Sequence, residues 1–341
     1  MILTVAKSPY LCTRPFEWFE IHPEGDVFLC CPAWLKRSVG NLLEQPVAAI
    51  WNSTVAREIR KSMFNGSFHN CTRGKCPFYA TRTPPVEPAE QLCDPELRRA
   101  VTTRASRLDY PPKKLNLCFD PGCNLACPSC RPSFQRSEGT ARAQAERVAA
   151  IILDQLVPHA AEVTLSGYGD PFGSPVYFNL LRRFNELEHV PSLRLHSNGQ
   201  LWTRELWERL PNLHAKVSGA EISVDAGSAA TYALNRPGGS YRRLLDNLEF
   251  LASQPFPLTL SMVVQQNNFR EMPRLLMLAQ RFNARLYLSR LANWGTFSRD
   301  EYRQRAVHLV DHPEHQEFKA LLHIISLQET VNPGNLCFSL N

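Results

Sequence analysis

Eleven cysteines stand out in this chain: Cys12, Cys30, Cys31, Cys71, Cys76, Cys93, Cys118, Cys123, Cys127, Cys130 and Cys337. Their number is odd and they are clustered, which points to metal binding rather than to a disulfide framework. The tightest group is Cys123, Cys127 and Cys130, spaced C-x3-C-x2-C within CFDPGCNLACPSCRP. Three thiolates on one loop can hold three irons of a four-iron cluster and leave the fourth iron open to bind and reduce a ligand. A structural zinc site would close all four positions. Cys118 falls inside the strand expected just before this loop and reads as a small apolar packing residue.

A second group lies upstream. Cys12, Gly25 and Cys30 are spaced C-x12-G-x4-C, and Cys71-x4-Cys76-Pro77 follows. Cysteine pairs around a hairpin suit a metal centre, and the pattern alone does not tell zinc from iron. Cys31, next to Cys30, is an alternative to it. Cys93 and Cys337 are most simply unligated.

Elements must hold these groups in place. Glu17–Ile21 and Val27–Cys30 read as two strands joined by the turn sequence Pro23-Glu24-Gly25-Asp26. Val55–Asn65 reads as a short helix. TPPVEP and YPPKK mark a linker around a helical piece near Pro95–Ser106. From Lys113 onward, strands and helices alternate. Candidate strands are Lys114–Cys118, Glu162–Ser166, Ser192–His196, Ala220–Val224, Leu258–Val264 and Arg285–Leu291. Helical spacing links Ala145, Val148, Ile152 and Leu156; Leu244, Leu248 and Leu251; and Leu275, Leu278 and Phe282. A closed eight-unit barrel takes about 250 residues, and about 180 are available here. The pattern therefore predicts an α/β fold, a partial (β/α)6 barrel preceded by a small cysteine-rich domain. The expected boundaries are 1–81 for that domain, 82–112 for the linker, 113–292 for the barrel and 293–341 for a tail with one helix, Glu314–Ile325.

Composition sets outer limits. Apolar residues make up 44% and charged residues 21%, so disorder and collagen-like folds are excluded. The formal charge of +6 is spread along the chain, and no basic arm suggests nucleic-acid binding. No apolar run reaches the length of a membrane span. The segment MILTVAKSPYL lacks the basic-then-apolar order of a secretory signal, so a cytoplasmic location and no membrane partner are expected.

The ends of the other strands carry a resemblance. Ser166-Gly167-Tyr168-Gly169-Asp170-Pro171 follows the second barrel strand, Ser197-Asn198-Gly199 the third, and Ser223-Val224-Asp225-Ala226, with Arg236 beyond, the fourth. Together with C-x3-C-x2-C after the first strand, this order resembles the radical S-adenosylmethionine (SAM) superfamily over about residues 113–292. The resemblance implies that Gly167, Gly169 and Asp170 belong to the glycine-rich motif near the amino group of SAM. It implies that Ser223 and Arg236 receive the methionine carboxylate, and that Ser197, Asn198 and Asp225 join the cofactor site. One departure is Ser129, where many members carry an aromatic residue. The upstream cysteines resemble a SPASM/twitch auxiliary iron–sulfur domain, with Cys12, Cys30, Cys71 and Cys76 as ligands of a single cluster. That domain here precedes the barrel instead of following it.

The resemblance implies two [4Fe-4S] clusters and SAM as cofactors. It implies reductive cleavage of SAM to methionine and a 5′-deoxyadenosyl radical, which takes hydrogen from a peptide or small-molecule substrate for oxidation or bond formation. An electron donor such as flavodoxin or ferredoxin is the expected protein partner. The alternatives are a redox-neutral isomerase or lyase, and a non-catalytic iron–sulfur or zinc protein. Some oxidative members carry an aspartate base directly after the G-x4-C cysteine; here that place is Cys31. Glu17, Glu20, His22 and Glu24 lie near it, and the sequence assigns none of them as a base.

Overall fold

The computed structural model describes residues 10–83, 85–88, 91–165 and 167–340. The first nine residues and Ser166 lie outside it, so the signal reading and the first residue of the glycine-rich segment have no structural counterpart. Two compact units emerge: one takes in the chain up to Asp120 with Glu138–Thr164, the other Pro121–Ser137 and the chain from Leu165 onward. Among the described residues no helix is long and apolar enough to cross a membrane.

In the first unit the strands are β1 (Tyr10–Cys12), β2 (Trp18–Ile21), β3 (Asp26–Phe28), β4 (Gly40–Asn41), β5 (Val86–Pro88), β6 (Lys114–Leu117) and all but the last residue of β7 (Glu162–Leu165). The hairpin β2–β3 turns through Glu24 and Gly25, both in the left-handed region with φ of 63° and 88°. A side chain at Gly25 would meet Asn41 Oδ1 at 3.0 Å, so glycine is required twice over. The hairpin does more than carry Cys30. Trp18 to Ile21 pair in parallel with Lys114 to Leu117, so β2 is a neighbour of the first β/α strand. β1 pairs antiparallel with β5, which the sequence did not suggest.

The helix Thr54–Phe64 begins at Ser53, whose hydroxyl accepts from Ala56 N. It buries Arg60, whose Nε donates to the Pro15 carbonyl at 2.8 Å and whose guanidinium lies 4.4 Å from the Trp51 ring centre. Burial lowers the Arg60 pKa to about 9. Trp51 donates to the Tyr110 carbonyl at 2.8 Å, tying the segment before β6 to this core.

The second unit carries β8 (Ser192–Ser197), β9 (Val217–Ser223), β10 (Leu258–Val264), β11 (Arg285–Arg290) and β12 (Val331–Asn332), all parallel. Strand periodicity gives the sheet two different faces. Leu195, Ile222, Leu260, Met262, Val264, Leu286 and Leu288 are buried. The opposite face presents His196, Glu221, Ser223, Ser261, Tyr287 and Ser289. A structural parallel sheet is apolar on both faces, so a polar, partly exposed face marks where this sheet works. The loop Pro121–Ser137, which carries three cysteines, belongs to this unit. The tail is more structured than its single expected helix. A helix at Arg299–Arg305 starts with a capping box on Ser298, and Val331–Asn332 extends the sheet.

Candidate active site

The cysteine loop is folded by its own backbone. Cys123 N donates to the Gln135 carbonyl, and Cys130 N and Arg131 N both donate to the Cys127 carbonyl at 2.9 Å, a tight turn. Each sulfur has a donor. Leu125 N lies 3.4 Å and Asn198 Nδ2 3.6 Å from Cys123 Sγ; Arg236 Nη1 lies 3.5 Å from Cys127 Sγ; Arg131 Nη2 lies 3.4 Å from Cys130 Sγ. Burial pushes the Cys123 thiol up to about 11, with Asp170 adding to the rise. Burial also raises Cys127, against the pull of Arg236. Buried and half-buried thiols on one loop are costly as bare thiolates and suit a site whose charge is supplied by a cation.

Asp170 occupies the centre of the strand-end loops. It is 1% exposed. One oxygen accepts from Phe172 N and Gly173 N, both at 2.9 Å. The other accepts from Ser197 Oγ at 2.9 Å and Asn198 N at 2.8 Å. Its own N–H donates to the Gly122 carbonyl in the cysteine loop. With both oxygens occupied, Asp170 braces three loops. Gly167 and Gly169, with φ of 81° and 88°, allow the chain to reach that position. Asn198 donates to Asn124 Oδ1 at 2.9 Å, linking the third strand end to the residue after Cys123.

Asp225 is likewise committed. In the left-handed region at φ 58°, its carboxylate pairs with Arg236 Nη2 at 2.7 Å and accepts from Val263 N at 2.7 Å. Arg236 is thereby fixed between Asp225 and Cys127. Its Nε is buried with no hydrogen-bond partner. A buried guanidinium N–H without an acceptor marks a place for an anionic ligand group, and this is the feature that fits the residues to a carboxylate-bearing cofactor. Ser223 Oγ lies 2.8 Å from His196 Nε2.

In the first unit, Cys12, Cys30, Cys71 and Cys76 line one pocket, walled by Arg14, Trp34, Met63, Phe68 and Phe78. Trp34 Nε1 donates to Cys30 Sγ at 3.1 Å. Burial raises all four thiols, and repulsion from neighbouring thiols adds to the rise at Cys12, Cys30 and Cys71. Four thiols converging on one apolar pocket fit a closed four-ligand centre. Cys31 does not line the pocket; burial and the nearby Glu20 push it up to about 12. Cys93 is exposed.

The acids near the hairpin have separate occupations. Glu17 accepts from Thr13 Oγ1 and pairs with Lys114. Glu24 sits at the turn. Glu20 is buried and accepts from Trp18 Nε1, with His22 Nε2 at 2.9 Å, and these bonds lower its pKa against the opposing effect of burial. Sequence reasoning missed Arg131, Asn124 and His196. Arg131 had a signal, a charged residue wedged between the last cysteine and Pro132, but neither of the others differs from an ordinary polar residue until the loops come together.

The chain matches the family model of the radical SAM superfamily over residues 117–279, and that of SPASM, an iron–sulfur cluster-binding domain, over residues 12–77. The chain carries a radical SAM domain and a SPASM domain. Its SPASM domain precedes the radical SAM domain, and the fold class is α/β, a partial (β/α)6 barrel preceded by the small cysteine-rich domain. The cofactors of such a radical SAM protein are a four-iron cluster and SAM, with auxiliary iron–sulfur binding in the SPASM domain. No curated protein matches the chain. Among solved structures, it is similar to SuiB of Streptococcus suis bound to the precursor peptide SuiA. The identity is 14% with a TM-score of 0.42, covering 72% of this chain and 55% of that one. SuiB bound to S-adenosylmethionine gives 16% and 0.47, covering 69% and 53%. Native anSMEcpe with bound AdoMet gives 17% and 0.39, covering 53% and 51%. The chain thus spans about half the length of these proteins.

Proposed function

We propose that this radical SAM protein is an enzyme that takes a hydrogen atom from a peptide or small-molecule substrate, for oxidation or bond formation. A cluster on Cys123, Cys127 and Cys130, with SAM bound, would supply one-electron reductive cleavage of SAM and hydrogen-atom abstraction. The chain supplies position. Cys123, Cys127 and Cys130 are the cluster ligands, and Arg131, Arg236 and Asn198 stabilise their thiolate sulfurs by hydrogen bonds. Arg236 also offers its unpartnered Nε to the methionine carboxylate, and Asp225 holds it in that orientation. Ser223 is the second group on the carboxylate. Gly167 and Gly169 open the backbone of the amino-group motif. Asp170, Ser197 and the backbone of Asn198 act as positioning groups, because Asp170 has no oxygen left for a ligand. Cys12, Cys30, Cys71 and Cys76 hold a single auxiliary cluster, which suits an oxidised product by offering a place for the surplus electron. A small electron-transfer protein of the flavodoxin or ferredoxin type is the proposed reductant.

The observation that carries this reading is the buried, unpartnered Arg236 Nε beside three thiols on one loop. Anaerobically reconstituted protein is expected to hold about eight irons and to release methionine and 5′-deoxyadenosine slowly with dithionite and SAM alone. Replacing Cys123, Cys127 and Cys130 by Ala is expected to leave about four irons and abolish 5′-deoxyadenosine. S-adenosylhomocysteine as the stoichiometric product, with no 5′-deoxyadenosine, overturns the mechanism.

A further inference from the structure

The polar face of the second unit holds a histidine–glutamate contact that the cofactor reading leaves unused. Parallel pairing of β8 with β9 sets His196 opposite Glu221, and Ser223 follows two residues later on the same face. His196 Nε2 lies 3.3 Å from Glu221 Oε1 and 2.8 Å from Ser223 Oγ. One ring nitrogen thus faces both a carboxylate and a hydroxyl. A carboxylate this close repels a bare lone pair, so this nitrogen carries the hydrogen and donates it to Ser223 Oγ, the contact with hydrogen-bond geometry. Ser223 Oγ then accepts from the ring, and its own hydrogen has to point elsewhere. Among the described residues no acceptor for that hydroxyl hydrogen is in place. The side chains of His196 and Glu221 are 29% and 32% exposed, so a ligand can approach this face.

We propose that His196 and Glu221 are a positioning pair that fixes the polarity of Ser223, making its hydroxyl a donor aimed at the carboxylate of SAM. The proposal rests on the reading that Ser223 and Arg236 receive that carboxylate. The opposite polarity would fail. A serine that donated to His196 would present only lone pairs to an anion and repel it. With Glu221 opposite the ring, the hydroxyl hydrogen is free before the ligand arrives. The site then offers an anion two unmatched donors, Ser223 Oγ–H and Arg236 Nε–H. Both are held by carboxylates behind them, Glu221 through His196 and Asp225 directly. The same logic operates in both halves: an internal acid orients a donor by occupying its other side.

The test compares SAM with decarboxylated SAM, which lacks only the group in question. Binding of each is measured by anaerobic equilibrium dialysis on reconstituted protein of matched iron content. His196→Phe is expected to weaken SAM about ten- to hundredfold, the range for a hydrogen bond to a charged group, and decarboxylated SAM less than about twofold. His196→Gln, whose amide can still donate to Ser223, is expected to recover most of the loss. Ser223→Ala is expected to reproduce the loss, and adding His196→Phe to it is expected to add nothing. Equal weakening of both ligands, or none of either, overturns the proposal. Should His196→Phe not reconstitute, Glu221→Gln carries the same comparison, since its amide can donate to the ring and release the fixed polarity. Wild-type protein that binds neither compound refutes the SAM reading itself, a different outcome from a wild type that binds SAM while the variants stay unchanged.

Discussion

Asp170→Asn swaps one carboxylate oxygen for an amide NH2 at nearly constant volume. Placed toward Phe172 and Gly173, the NH2 would face two N–H donors, both bonded at 2.9 Å in the native chain. Placed toward Ser197 and Asn198 it faces one hydroxyl, which can turn and accept, and one N–H, which cannot. The second placement costs less. It still orphans the buried Asn198 N–H, a penalty of about 1–3 kcal/mol, and weakens the remaining bonds, which lose their charge assistance. A local cost of about 2–4 kcal/mol follows. Amide exchange reads it residue by residue. The Asn198 amide is expected to lose protection by at least about thirtyfold, the equivalent of about 2 kcal/mol, with Phe172 and Gly173 much less affected. Affinity for SAM is expected to fall with it while iron content persists, because the cysteine ligands are untouched. Unchanged protection at Asn198, or SAM binding lost with exchange unchanged, would refute the bracing role and return Asp170 to direct ligand contact.

Cys30→Ala is expected to remove the auxiliary iron, whereas Cys31→Ala retains it, because only Cys30 lines the four-cysteine pocket; iron analysis on each variant decides. In iron-free protein, the thiols of Cys30 and Cys123 are raised from 9.0 to about 11, and those of Cys31 and Cys71 to about 12. An acid with a raised folded pKa stabilises below its unfolded pKa, so stability is expected to be flat below pH 9 and to fall as pH climbs toward 11–12. Urea midpoints across that window test the sign, and a rising midpoint contradicts it. His308, half-buried near Arg290, is depressed from 6.5 to about 4, chiefly by loss of water around it. Its contribution is present above pH 6.5 and lost as pH falls toward 4. Exchange around Val307–His315 is expected to speed up over that range, and His308→Phe to abolish the dependence.

The sequence alone was enough for the local chemistry and the element order. Cysteine spacing is a covalent fact, and C-x3-C-x2-C defines which thiols share a loop whatever surrounds it. Period-two patterning located Leu258–Val264 to the residue, because one face of a strand must be apolar to lie on helices. The family followed from motif order, which is also linear. What remained hidden was everything set by contact between distant segments. Glycine spacing favoured Cys30 but left its neighbour Cys31 open, and only the fold places the two in different environments. Asp170 looked like a ligand contact because motifs name residues and not their hydrogen bonds; folding surrounded it with four donors from two loops. Parallel pairing of β2 with β6 joined segments nearly a hundred residues apart, and such pairing leaves no periodic trace. His196, Glu221 and Ser223 meet through strand register alone. Register is decided by how a whole sheet packs, so the polarity of that serine belongs to the tertiary structure.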